Sequence, residues 1–140
     1  MAHGYEWAVL RVVPRVDRCE SVNVGVLVYC RALDYLAALI TDDLGRARAI
    51  DPDLDVDGVR LHLDAVAAVV AGSPAAGDNG RRSPGDRFRW LVAPRSTVVQ
   101  PSPVHTGITD DPAAELVDLA GRMVTWPPTR PPRRTPEGRP

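Results

Sequence analysis

Two stretches of alternating residues constrain this chain more than anything else in it. In Val22-Asn23-Val24-Gly25-Val26-Leu27-Val28, β-branched residues recur at every second position. Residues 5–13 answer with Ala8, Leu10 and Val12 on one parity and Trp7, Val9, Arg11 and Val13 on the other. A period of two marks half-buried strands. The polar segment between them holds Pro14, Arg15, Asp17 and Arg18, so the pair reads as a β-hairpin. A slip of one residue would send an apolar row into water, so burial sets the register. Packing Leu10 and Val12 with the valine row predicts that Arg11 and Asn23 emerge together on the other face. Gly25 shares that face, and a glycine inside a strand leaves room for a ligand or another backbone. Glu20 enters the strand close to Arg15 and Arg18. A structural Arg–Glu pair, with Asn23 bonded to nearby backbone, is the plainer account of the same residues.

The hairpin needs partners to bury it, and the rest of the chain supplies them. Tyr35–Ile40 reads as a third antiparallel strand, and residues 43–50 as a short helix. Residues 56–71 carry Val59, Leu63, Val66 and Val70 at helical spacing and stop at Gly72 and Pro74. Residues 72–86 are rich in Gly, Ser, Pro, Asn and Arg and read as a mobile loop. Phe88, Trp90 and Leu91 return to the core. Thr97–Gln100 reads as a fourth strand; Pro101 and Pro103 confine the residues after it to an edge or a loop. Asp111 caps a last helix with Pro112 at its first position, and Leu116, Leu119, Ala120 and Met123 line one side. The expectation is an α+β domain over residues 1–125: a small antiparallel sheet of about four strands with two main helices on one face. A Pro/Arg-rich tail, residues 126–140, is expected to be disordered.

Charge and cysteine content exclude several classes. The formal net charge is −1, with no lysine and 17 arginines, so no global field favours nucleic acid or membrane. No apolar run approaches the roughly 20 residues of a membrane span, and no signal-peptide pattern opens the chain. Cytoplasmic localisation is expected. Cys19 and Cys30 would lie about 36 Å apart along an extended strand, so both are expected to be free thiols. No Cys/His set has zinc spacing, and neither metal nor cofactor is expected.

Asp53, Asp55, Asp57, Gly58 and Asp64 match the spacing of an EF-hand calcium loop, with Asp at the place of the usual Glu. Pro52 blocks the incoming helix, however. Arg60 stands where an apolar residue belongs, and the helical stripe already begins at Val59. Carboxylates at a helix N-terminus, with Asp55 or Asp57 as its cap, account for the run better.

Residues 93–107 are unusually polar for a segment between core elements. Arg95, Ser96, Gln100, Ser102 and His105 supply a guanidinium, hydroxyls, an amide and a titratable ring suited to phosphate or carboxylate. Beside the hairpin, Arg11, Asn23, Arg95, Gln100 and His105 would line one cleft. A loop whose side chains satisfy its own backbone competes with that reading. His105 is the one weak catalytic candidate; no nucleophile with a His/Asp arrangement is evident.

Tyr5-x-Trp7-Ala8-Val9-Leu10-Arg11-x-x-Pro14, Glu20-Ser21-Val22-Asn23-Val24-Gly25-Val26, Arg87-Phe88-Arg89-Trp90-Leu91-x-Ala93-Pro94-Arg95-Ser96 with Gln100-Pro101-Ser102, and Thr109-x-Asp111-Pro112 together resemble the bacterial domain of unknown function 3037 family. The resemblance covers about residues 5–124. It implies no established activity. It does imply a partner, since members are similar to proteins often encoded beside HipA-like serine/threonine kinases. The leading expectation is therefore a non-catalytic binding or accessory module with an anion-accepting cleft. A small enzyme acting on a phosphate-bearing substrate, with Arg11 and Arg95 holding the anion and His105 as acid or base, is the first alternative. Nucleic-acid binding through Arg81, Arg82, Arg87, Arg89 and the tail is the second, and the neutral net charge argues against it.

Overall fold

A computed structural model describes residues 1–130. Strand β1 (His3–Val12) pairs antiparallel with β2 (Val22–Cys30), Trp7 opposite Val28 and Val9 opposite Val26. A 3-10 turn at Arg31–Leu33, with Asp34 left-handed at φ 50°, leads into β3 (Tyr35–Ile40), which pairs with β2. The other edge of β1 is shared. Short β4 (Val99–Pro101) lies against Leu10–Val12, and β5 (His105–Thr109) against His3–Trp7. All pairings in this five-stranded sheet are antiparallel, and the fold is α+β. β5 is the edge element that Pro101 and Pro103 allow.

Two bulges flank β1 at the same level. Leu10 faces Gly25 and Arg11 faces Asn23, so Val24 is an extra residue on β2. On the other side Leu10 faces Pro101 and Trp7 faces His105, so Ser102–Val104 hold one residue more than Ala8–Val9 opposite. A bulge inverts the side-chain alternation beyond it. The single valine row expected from sequence is therefore split. Val22 and Val24 pack with Leu27 and Tyr29 in one core, whereas Val26, Val28 and Cys30 belong to the other.

Helices cover both faces, which corrects the expectation of two helices on one. Helix α1 (Gly45–Ile50), α2 (Val56–Ala71) and α3 (Pro84–Leu91) close the first core through Ala47, Val59, Leu63, Val66, Phe88 and Leu91. Helix α4 (Pro112–Met123) closes the second through Leu116 and Leu119, with Tyr5 beneath. The physical reason is β2 itself. From Val26 to Cys30 it is apolar at every position and buried on both sides, as strands between two helical layers are.

Caps define the helix ends. Asp55 accepts from Gly58 N at the start of α2, and Gly72, at φ 65°, ends it. Asp111 accepts from Ala114 N, with Pro112 in the first turn. The stretch 72–86, expected as a mobile loop, instead carries 3-10 turns over Pro74–Arg81 and the start of α3. Ser73 and Ser83 cap these turns, and Arg87 donates back to the Arg82 and Val70 carbonyls at 2.8 and 3.4 Å. Of the expected tail, Trp126–Arg130 has no helix or strand but folds back on α4, Thr129 N donating to Gly121 O at 3.0 Å. Residues 131–140 lie outside the described residues. Cys19 and Cys30 are free thiols, exposed and buried respectively. No helix among the described residues is long and apolar enough to cross a membrane.

Candidate functional site

Arg11 sits beside the β2 bulge, with Asn23 opposite on one side and Gln100 on the other. Directly opposed residues of an antiparallel pair project to one face, so the three share the α4 side of the sheet. Their polar ends diverge. Asn23 Nδ2 donates to Met123 O at 3.0 Å and so ties β2 to the end of α4. Gln100 Nε2 donates to Thr97 O at 2.7 Å. Arg11 Nη2 makes one long contact, 3.4 Å, to Pro101 O, and its Nε is shielded from solvent with no partner among the described residues.

Beside that guanidinium lies a cavity of about 170 Å³, lined by Arg11, Val13, Val16, Cys19, Ser21, Ser96 and Gln100. Three of the residues expected to form a site, Arg11, Ser96 and Gln100, therefore meet. Ser21 and Cys19 join them without having been singled out. Ser21 shares the parity of Asn23 along the strand, and that signal was available. Cys19 arrives only because the β1–β2 turn places it at φ 60°, and turn geometry is not legible from composition.

The other expected site residues lie elsewhere. Glu20 pairs with Arg18 and Asp17 with Arg15; both ion pairs are exposed. Gly25 has no room for a ligand: a Cβ there would stand 3.1 Å from Leu39 O and from Ile40 Cγ1, and 3.2 Å from Leu10 Cδ1. The position serves close approach of β3. Ser102 is a buried structural hydroxyl, accepting from Val9 N at 2.8 Å and donating to Pro103 O at 2.9 Å across the bulge.

Arg95 turns to the opposite side of the sheet. Its guanidinium lies 4.2 Å from the Trp90 ring centroid and donates to Trp90 O at 2.6 Å. There its charge, together with burial as the larger cause, holds the His62 imidazole below its ordinary value of 6.5. His105 is exposed and stacked on Trp7 with centroids 4.5 Å apart. Trp7 precedes Arg11 by four residues on β1, about 13 Å. The cleft expected from Arg11, Asn23, Arg95, Gln100 and His105 is thus replaced by a smaller one around Arg11.

The acidic run is spent on local structure. Asp51 accepts from Asp53 N at 3.0 Å, Asp55 caps α2, and the helix begins at Val56, inside the supposed calcium loop. No group of three metal-ligating side chains occurs among the described residues.

No curated protein and no solved structure matches this chain. A family model does, the one described as protein of unknown function (DUF3037), over residues 7–124. That match runs from β1 to the end of α4 and takes in Arg11, Ser21, Ser96 and Gln100, and by it the chain belongs to the DUF3037 family.

Proposed function

We propose that this chain is a non-catalytic binding module of the cytoplasm whose Arg11 cavity accepts an oxyanion. The observation that carries the reading is the Arg11 guanidinium on the wall of that cavity, desolvated at Nε and held among the described residues by one 3.4 Å contact to Pro101 O. Leaving a buried donor unsatisfied is costly, and most of all on a charged group. An oxyanion in the cavity would take charge-assisted bonds from the guanidinium, with the Ser21 and Ser96 hydroxyls and the Gln100 amide as further donors. The cavity is too small for a nucleotide and suits a single phosphoryl, sulfuryl or carboxylate group. The implied HipA-like kinase partner fits a module that takes an anionic group presented by another molecule.

The alternatives have less support. An enzyme acting on phosphate would lose its acid–base residue, because His105 stacks on Trp7 away from Arg11. Of the arginines suggested for nucleic acid, Arg81 pairs with Asp78, Arg89 with Glu6, and Arg87 binds backbone carbonyls.

The test is titration of the full chain with inorganic phosphate and phosphoserine, followed by backbone amide NMR. Shifts should centre on residues 11, 21, 96 and 100. Arg11→Gln should weaken binding by about 30-fold or more, the cost of losing a charge-assisted pair. Shifts centred elsewhere, or none at millimolar anion, would reject the reading; turnover of a phosphoester by the purified chain would reject its non-catalytic part.

A further inference from the structure

On the same α4 face of the sheet, across Asn23 from the Arg11 cavity, a second cavity of about 470 Å³ opens between the ends of β3 and α4. Such a volume lies within the roughly 300–1,000 Å³ of small-molecule pockets. Its floor is apolar: Leu39, Ala120 and Val124. Trp126 forms an aromatic wall, 70% exposed. Thr41, Thr125 and Asn23 add hydroxyls and an amide.

Local structure brings these groups together. Thr41 N bonds to Val24 O, and Thr41 Oγ1 accepts from Asp43 N at 3.1 Å, which turns the chain sharply after β3. Asp43 Oδ1 accepts from Gly45 N at 2.9 Å, and α1 then carries Arg46 to the rim. From the other side, Val124 N and Thr125 N both bond to Ala120 O, and Thr129 folds back on Gly121. That return path brings the Trp126 ring to 5.3 Å from the Arg46 guanidinium.

The charges decide the ligand. Asp43 and Arg46 line one cavity with opposite signs, yet no ion pair joins them among the described residues. Asp43 uses one carboxylate oxygen on Gly45 N, and Arg46 makes a single 3.5 Å contact to Val124 O. A simple anion would meet the Asp43 carboxylate, and a simple cation would meet the Arg46 guanidinium. A molecule carrying both charges satisfies both at once, with its apolar part on the aliphatic floor against the indole. We infer that this cavity is a binding site for a free α-amino acid with an apolar side chain, its ammonium on Asp43 and its carboxylate on Arg46. A peptide terminus offers only one of the two charges at its α-carbon, so the free amino acid is the better fit.

The experiment is calorimetric titration of the full chain with L-phenylalanine and L-leucine. It is paired with 3-phenylpropanoate, 2-phenylethylamine and the dipeptide of phenylalanine. Saturable binding of an amino acid is expected, with each one-charge analogue and the dipeptide weaker by about tenfold or more. Asp43→Asn and Arg46→Gln should each cost a similar factor. Both substitutions are at exposed positions, and Asn keeps an acceptor for Gly45 N. Amide NMR shifts should fall on residues 41–46 and 120–126, apart from those the Arg11 cavity predicts, so either site can fail alone. Failure to bind either amino acid at millimolar concentration overturns the inference. So does equal binding of the analogues or the dipeptide, or wild-type affinity in both variants.

Discussion

Arg11 and Asn23 stand directly opposite one another across the β1–β2 ladder, yet their polar ends serve different structures. The asparagine amide reaches the carbonyl of Met123, and the guanidinium, among the described residues, reaches only Pro101 O, at 3.4 Å. One member of the pair fastens a helix to the sheet. The other borders a small polar cavity with an unpaired donor.

Asn23→Ala should therefore be a stability variant. It removes the link between β2 and the last turn of α4, which is otherwise held by Leu116 and Leu119 beneath it. The expected loss is about 1 kcal/mol, read as a lower urea midpoint with an unchanged slope. Anion affinity at Arg11 should change less than in Arg11→Gln, since the amide does not line that cavity.

Ser102→Ala should cost more. Its hydroxyl is the acceptor for Val9 N at the level where the edge strand bulges and Pro103 interrupts the ladder. Removing it strands a buried backbone N–H, worth about 1–3 kcal/mol. Chemical denaturation measures the loss, and amide exchange at Val9 should accelerate with it. A variant as stable as the wild type would show that Val9 N has another acceptor.

His62 gives the fold a pH dependence whose sign is set by its surroundings. Burial first, and the Arg95 charge second, keep its folded pKa below 6.5. Below about pH 6.5 the unfolded chain takes up a proton that the folded imidazole resists, so stability should fall as pH drops through that region and level off above it. Asp51, Asp53 and Asp55 border the same hollow. Arg95→Gln should raise the His62 pKa without fully restoring it, because burial remains. Titration of the His62 ring resonances by NMR checks this, and an unchanged midpoint would mean that Arg95 exerts no charge effect there.

Signals confined to a few neighbouring residues were legible directly. Alternation placed β1 and β2. Asp55 or Asp57 with Gly72 bracketed α2, and Asp111 with Pro112 marked the start of α4, because each satisfies or replaces a backbone group at a helix end, and such chemistry depends only on sequence neighbours; the structure chose Asp55. Membership of the family was legible for the same reason, in short runs such as those around Trp7 and Trp90. The Ser73 and Ser83 caps were equally local, but the density of glycine and proline around them masked the turns they start.

Tertiary packing decided the rest. Whether Val24 keeps the alternation or bulges depends on the facing strand: Gly25 must let β3 in close, and one extra residue then turns Val26 and Val28 toward α4. The face that α4 covers is set by that inversion, whereas four residues of β1 separate Arg11 from His105. A one-residue change in register costs little locally and moves every later side chain to the other side of the sheet, so only the assembled core could select it.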